Sequence, residues 1–221
     1  EEDENERMAE YVDDIGQFGG SKRSTKQIGG NLIDIVAQAR DRPGRHTREL
    51  DQIRLLLDQG ADINIQSSGG WTALSYASSY KMPNIVKLLL ERGAKPNIQI
   101  SSGDTALMLG QLNIIMRNRQ QRDEINAEID SLEITKLLLE HGAKPNLQNK
   151  RGTTALMMAS PMGSVKLVEL LLSYGADPNI LNKRGDTAIT LAEKHGGSRR
   201  GPANIIIELL KRHMDIRIQK A

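Results

Sequence analysis

The sequence predicts an all-α solenoid of stacked helix-turn-helix units joined by short hairpin-like turns. Three landmarks in one register carry that prediction. Gly60-Ala61-Asp62-Ile63-Asn64 returns as Gly93-Ala94-Lys95-Pro96-Asn97, Gly142-Ala143-Lys144-Pro145-Asn146 and Gly175-Ala176-Asp177-Pro178-Asn179, at spacings of 33, 49 and 33 residues. Leu55-Leu56-Leu57, Leu88-Leu89-Leu90, Leu137-Leu138-Leu139 and Leu170-Leu171-Leu172 keep the same spacings. So do Thr72-Ala73-Leu74, Thr105-Ala106-Leu107, Thr154-Ala155-Leu156 and Thr187-Ala188-Ile189. A period of this length marks a repeat array, and the long interval is one period plus an insertion of 16 residues.

The elements follow in chain order. Residues 1–27 hold an acidic run and then Gly19-Gly20-Ser21-Lys22-Arg23, a composition expected to be flexible. Tyr11, Val12, Ile15 and Phe18 leave open a short amphipathic helix docked on the first unit. The repeat domain spans 28–221, with units at 28–64, 65–97, 98–146, 147–179 and 180–221. The first and last are degenerate caps. In the first, Leu32, Ile35 and Val36 read as one helix and Leu50, Ile53, Leu56 and Leu57 as the next, across a basic loop from Arg42 to His46. In the second, Ala73, Leu74 and Ala77 share a face, as do Ile85, Leu88 and Leu89. Gly93 suits a left-handed helix C-cap, and Gly70, Gly103, Gly152 and Gly185 mark the turn tips. The insertion, near 113–130, contains no Pro and no Gly, which favours lengthened helices. Its stripe Ile125, Ile129 and Leu132 reads either as packing on Ile114 and Ile115 or as a protruding hairpin that grips a partner. In the last unit Pro202 fits the first turn of a helix running through Ile206, Leu209 and Leu210.

These motifs resemble the ankyrin repeat family, whose unit reads as a turn with Gly, Thr-Pro-Leu-His-x-Ala, a short helix, a second helix ending in Leu-Leu, and Gly-Ala-Asp-x-Asn. The resemblance covers roughly residues 30–216. It departs in two places: Ala73, Ala106, Ala155 and Ala188 stand where the family has Pro, and Ser75, Met108, Met157 and Thr190 where it has His. The Thr–His hydrogen-bond network is therefore weakened, and a less rigid array with a low, broad melting transition is expected.

Composition bounds the chemistry. The 221 residues contain no Cys, which excludes disulfides, a thiol nucleophile and thiolate zinc sites. No run approaches a membrane span. The chain opens on Glu1-Glu2-Asp3-Glu4 rather than on a basic then apolar signal, and with Glu rather than Met, as a processed start or a piece of something longer would. His46, His141, His195 and His213 fall in different units without metal-ligand spacing and read as surface residues. Ser78-Ser79-Tyr80-Lys81 contains a Ser-x-x-Lys string without its companion motifs, and reads as chance. Neither a phosphate loop nor any catalytic constellation is present. The reading is of a non-catalytic protein, without cofactor or metal.

Charge is asymmetric: the net +2 splits into −7 over residues 1–14 and +9 over the rest, with +5 in residues 183–221. A basic end favours acidic partners. The resemblance implies binding through turn tips and the exposed face of the first helices. Mapped residue by residue, that surface holds Trp71, Ser79 and Tyr80, then Asp104, Leu112 and Asn113, then Thr153, Pro161 and Met162, then Asp186, Lys194 and His195. Trp71 and Tyr80 stand as candidate anchors, with Trp71 covering the neighbouring turn as the structural alternative. The tips read Ser68-Gly69, Ser101-Ser102, Lys150-Arg151 and Lys183-Arg184, so the last two are basic. The function expected is a protein-protein interaction module or adaptor in the cytoplasm or nucleus. The looser motif resembles ankyrin proteins of large DNA viruses and intracellular bacteria, which implies a host-interaction role in host cytosol. The alternatives are electrostatic nucleic-acid binding by the basic half and a targeting module of a longer enzyme.

Overall fold

The computed structural model describes residues 32–39, 46–111, 121–195 and 202–218. The N-terminal segment 1–27, Arg42 to Arg45, Leu112, Asn113 and the loop from Gly196 to Gly201 lie outside them.

Helices form where the apolar spacing requires them: α1 Leu32–Ala39, α2 Thr47–Asp58, α3 Ala73–Ser79, α4 Pro83–Glu91, α5 Ala106–Leu109, α6 Gln121–Glu140, α7 Ala155–Ala159, α8 Val165–Ser173, α9 Ala188–His195 and α10 Pro202–Ile218. A 3-10 turn, Ser160–Met162, extends α7. The helices pack in two rows. First helices stack on first helices, in the order α1, α3, α5, α7, α9, while α4, α6, α8 and α10 form the second row. Each unit buries its apolar stripe against its neighbours, since a unit of two short helices cannot do so alone.

The leucine triplet shows this layer by layer. Leu89, Leu138 and Leu171 are fully buried and Leu90, Leu139 and Leu172 nearly so. In the first unit Leu56 and Leu57 are only half-buried and Leu55 is 58% exposed. The core is aliphatic apart from Trp71 and Tyr76 and takes in Met82, Met108 and Met157.

Each inner first helix begins on a threonine. The Thr72, Thr105, Thr154 and Thr187 side chains accept from the backbone N–H three residues on, at 3.1, 3.4, 3.3 and 3.3 Å. Where the family His is replaced by a hydroxyl, the bond is reciprocated. Ser75 Oγ accepts from Thr72 N–H and Thr190 Oγ1 from Thr187 N–H, both at 2.8 Å. Met108 and Met157 cannot return that bond, so the loss of the Thr–His network is complete only in the third and fourth units.

Two polar ladders tie the units together. Asn64, Asn97 and Asn146 accept through their side chains from the backbone N–H of Lys95, Lys144 and Asp177 at 2.7–2.8 Å. Asn97 and Asn146 also donate to Gly142 and Gly175 carbonyls. Gln66, Gln99 and Gln148 each donate to a carbonyl in their own turn and to one in the next, those of Gln99, Gln148 and Leu181. Among the described residues Asn179 bonds within its own turn, to Asp177, and Leu181 takes the glutamine's place in the last unit.

The insertion lengthens the second helix of the third unit: α6 runs 20 residues, against nine for α4 and α8. Ile129 on it is 55% exposed, and Glu128 accepts a hydrogen bond from Ser164 of the next unit at 2.8 Å.

Candidate protein-binding surface

The turn tips form a row of fingers along one edge. Adjacent fingers are tied backbone to backbone. Ser101 N–H donates to the Gly69 carbonyl, Lys150 N–H to Ser102 and Lys183 N–H to Arg151, at 2.9–3.0 Å. Glycine is required where they touch. Gly152 has φ +76, and a Cβ there would lie 2.9 Å from the Lys183 backbone nitrogen. Asn149 and Asn182 shape the last two fingers, each accepting two backbone N–H bonds through its side-chain oxygen.

What lies at the foot of each finger differs. Trp71, Asp104, Thr153 and Asp186 occupy equivalent positions. Trp71 is fully buried, its ring 4.8 Å from Tyr76. Asp104 is 1% exposed and accepts from Ser102 Oγ and, at 2.7 Å, from Asn149 Nδ2 of the next finger. Thr153 is short and neutral, and there a notch of about 220 Å³ opens, lined by Lys150, Arg151, Thr153, Asn182, Lys183 and Arg184. Asp186 has no further finger beside it among the described residues. Lys194 Nζ donates to it instead at 2.5 Å, and that bond holds the Asp186 carboxyl below the usual carboxylate range.

Three sequence candidates are buried rather than exposed. The Trp71 ring lies against Tyr76, tilted by 46°, and is out of contact with solvent. Ser79 is fully buried and returns its hydroxyl to the Tyr76 carbonyl at 2.9 Å. Asp104 joins two fingers rather than facing outward. Leu112 and Asn113 lie outside the described residues. Lys150, Arg151, Lys183, Arg184 and Lys194 are exposed, but Lys194 is occupied by Asp186, so only the first four come together around the notch. Tyr80 is half-buried, stacked on Tyr76 at 6.0 Å, and Met162, at the end of the 3-10 turn, is 43% exposed. Of the buried polar residues of the notch, Thr153 was placed on this surface by the repeat register and Asn182 was not. The alternation Trp, Asp, Thr, Asp at one repeat position was the signal that the layer at Thr153 differs from its neighbours.

A second polar cluster sits at the root of the insertion. Lys81 is a non-glycine residue at φ +56, buried, and its ammonium donates to the Gly110 carbonyl at the end of α5. Burial pushes its pKa from 10.5 down to about 7, opposed by Asp130. Asp130 in turn is raised by burial and by Glu133, with Lys81 opposing. Gln111 is buried beside it, donating to Leu107 and to Thr135 Oγ1 at 3.1 and 2.8 Å.

Among the described residues no group of three or more His, Asp or Glu is placed to hold a metal ion, and no helix is long and apolar enough to cross a membrane. The stacked two-row architecture with a finger edge defines the class: a repeat protein that presents an extended binding surface. A family model described as ankyrin repeats, three copies, matches residues 45–113 and 125–220, and the chain belongs to the ankyrin repeat family. No curated protein matches it. Ankyrin repeats are generally protein-protein interaction modules and typically non-catalytic.

Proposed function

We propose that this chain is a non-catalytic binding module that holds an acidic segment of a partner protein across its last two fingers. The observation that carries this reading is the pair of adjacent Lys-Arg tips, tied in register by the Lys183–Arg151 backbone bond. Asp186, the acid at the foot of the last finger, is already matched by Lys194. Lys150 and Lys183 make no side-chain ion pair among the described residues. Tyr80 and Met162 supply apolar contact elsewhere on the same molecule, and the cationic tips supply selection and steering.

Fluorescence anisotropy with a labelled deca-glutamate peptide tests it. Replacing Lys150 and Lys183 together by Ser, the residue type of the first two tips, is expected to weaken binding about tenfold or more at low salt. Unchanged affinity in that variant would remove the fingers from the function. A duplex DNA competitor that displaces the peptide stoichiometrically, with a steep salt slope, would favour nucleic acid as the partner.

A further inference from the structure

We infer that the notch at Thr153 receives a phosphorylated side chain of the partner segment, which deepens the acidic-segment reading and rests on it. The neighbouring layer shows what the notch lacks. Between the second and third fingers, the Asp104 carboxylate accepts from Asn149 Nδ2 at 2.7 Å. One unit further on, Asn182 is the equivalent of Asn149 and Thr153 the equivalent of Asp104. No carboxylate enters from that side. Asn182 Nδ2 reaches only Asp186, at 3.4 Å, although Asn182 is 8% exposed. Thr153 is 5% exposed and its hydroxyl makes no hydrogen bond among the described residues. Thr153 and Asn182, residues each more than nine-tenths buried, thus bring a hydroxyl and an amide to a space with four cationic side chains around it.

The space and the charge together select the anion. The notch measures about 220 Å³, and in the preceding layer a single carboxylate, that of Asp104, stands at the position of Thr153. A carboxylate offers two oxygens and one charge. A phosphoryl group offers three terminal oxygens and close to two charges at neutral pH, and guanidinium forks match it in two-point fashion. Thr153 Oγ–H, Asn182 Nδ2 and the cations of Lys150, Arg151, Lys183 and Arg184 supply donors for all three oxygens. Arg184 also acts on Asp186, so its charge is shared between the two.

Isothermal titration with an acidic decapeptide whose central residue is phosphoserine, glutamate or serine tests the assignment. The phosphoserine form is expected to bind about tenfold tighter than the glutamate form, a difference of about 1.4 kcal/mol. Thr153→Val, which keeps the shape and removes the hydroxyl, should bring the two within a few fold. Thr153→Asp, which restores the acid of the neighbouring layers, should abolish the preference. Thermal melts confirm that each variant is folded. Equal affinity for phosphoserine and glutamate in the wild-type chain, with deca-glutamate still bound, would overturn the phosphate assignment and leave the acidic-segment reading standing. A preference that survives Thr153→Val and Thr153→Asp unchanged would place phosphate recognition outside the notch and equally overturn it. If deca-glutamate itself fails to bind, the broader reading falls and this one with it.

Discussion

Lys81 shows how one residue can set a pH dependence for the whole chain. Its left-handed backbone is unusual for a side chain of that size, and its buried ammonium has the Gly110 carbonyl as its hydrogen-bond partner. The Lys81 amine thereby caps the C-terminal end of α5 from the preceding unit. In the folded chain burial lowers its pKa to about 7, against 10.5 ordinarily. The unfolded chain therefore binds the extra proton between those two values. Stability rises with pH through that window, by at most about 1.4 kcal/mol per pH unit, and the gain is lost as pH falls back to 7. Urea denaturation at several pH values should show this rise in the wild-type chain and not in Lys81→Met. A parallel pair of curves would mean that Lys81 is not held neutral. Position 81 was invisible to the repeat pattern because neither its burial nor its backbone follows from periodicity. Trp71 was open to two readings for the converse reason. Its finger-foot position reads as exposed in sequence, and only the packing of Tyr76 against it decides otherwise.

At the scale of elements, the sequence motifs turn out to be joints between units rather than within them. The asparagine closing each Gly-Ala-x-x-Asn motif was legible as a landmark, but its work is to satisfy backbone groups of the following unit. No spacing rule names the partner of a hydrogen bond that spans roughly one period. The ladder gives a comparison with an internal control. Asn146 makes two bonds to the next unit, to Asp177 N–H and the Gly175 carbonyl, whereas among the described residues Asn179 bonds to Asp177 beside it. Asn146→Ala should cost about 1–3 kcal/mol by leaving backbone groups unpaired, and Asn179→Ala less than about 0.5 kcal/mol. Equal losses in calorimetry would mean the ladder does not couple the units. The helix caps offer a second contrast. Thr72→Ala removes the acceptor of Ser75 N–H but leaves the returning bond from the residue 72 N–H to Ser75 Oγ, whereas Thr154→Ala removes the acceptor of Met157 N–H at a cap with no returning bond. Each should lower stability by about 0.5–2 kcal/mol, with the larger loss at Thr154.

For the molecule as a whole, the array and its register were legible from three motifs, because a 33-residue period leaves little freedom in how such units stack. The proposed binding edge was legible only in its charges, since Lys150, Arg151, Lys183 and Arg184 stand out along the chain while the notch between them depends on Thr153 standing where Asp104 does one unit earlier. Stacking two Lys-Arg tips in register places like charges side by side, each pair separated by one finger. Two unit charges at roughly 8 Å in water repel by about 0.5 kcal/mol, and several such pairs meet here. The fold carries this repulsion at every moment it is unliganded, and an anionic segment relieves it. The Lys150→Ser/Lys183→Ser variant should therefore melt higher than the wild-type chain at low ionic strength, by about 1 kcal/mol, while binding deca-glutamate more weakly. The gain in stability should disappear at about 1 M salt, where the Debye length falls to about 3 Å. Adding deca-glutamate at low salt should raise the wild-type melting temperature and leave that of the variant nearly still. A variant that melts lower than wild type at low salt would show that the lysine stems are packed into the finger edge, and that the tips are held together by contacts their charges do not oppose.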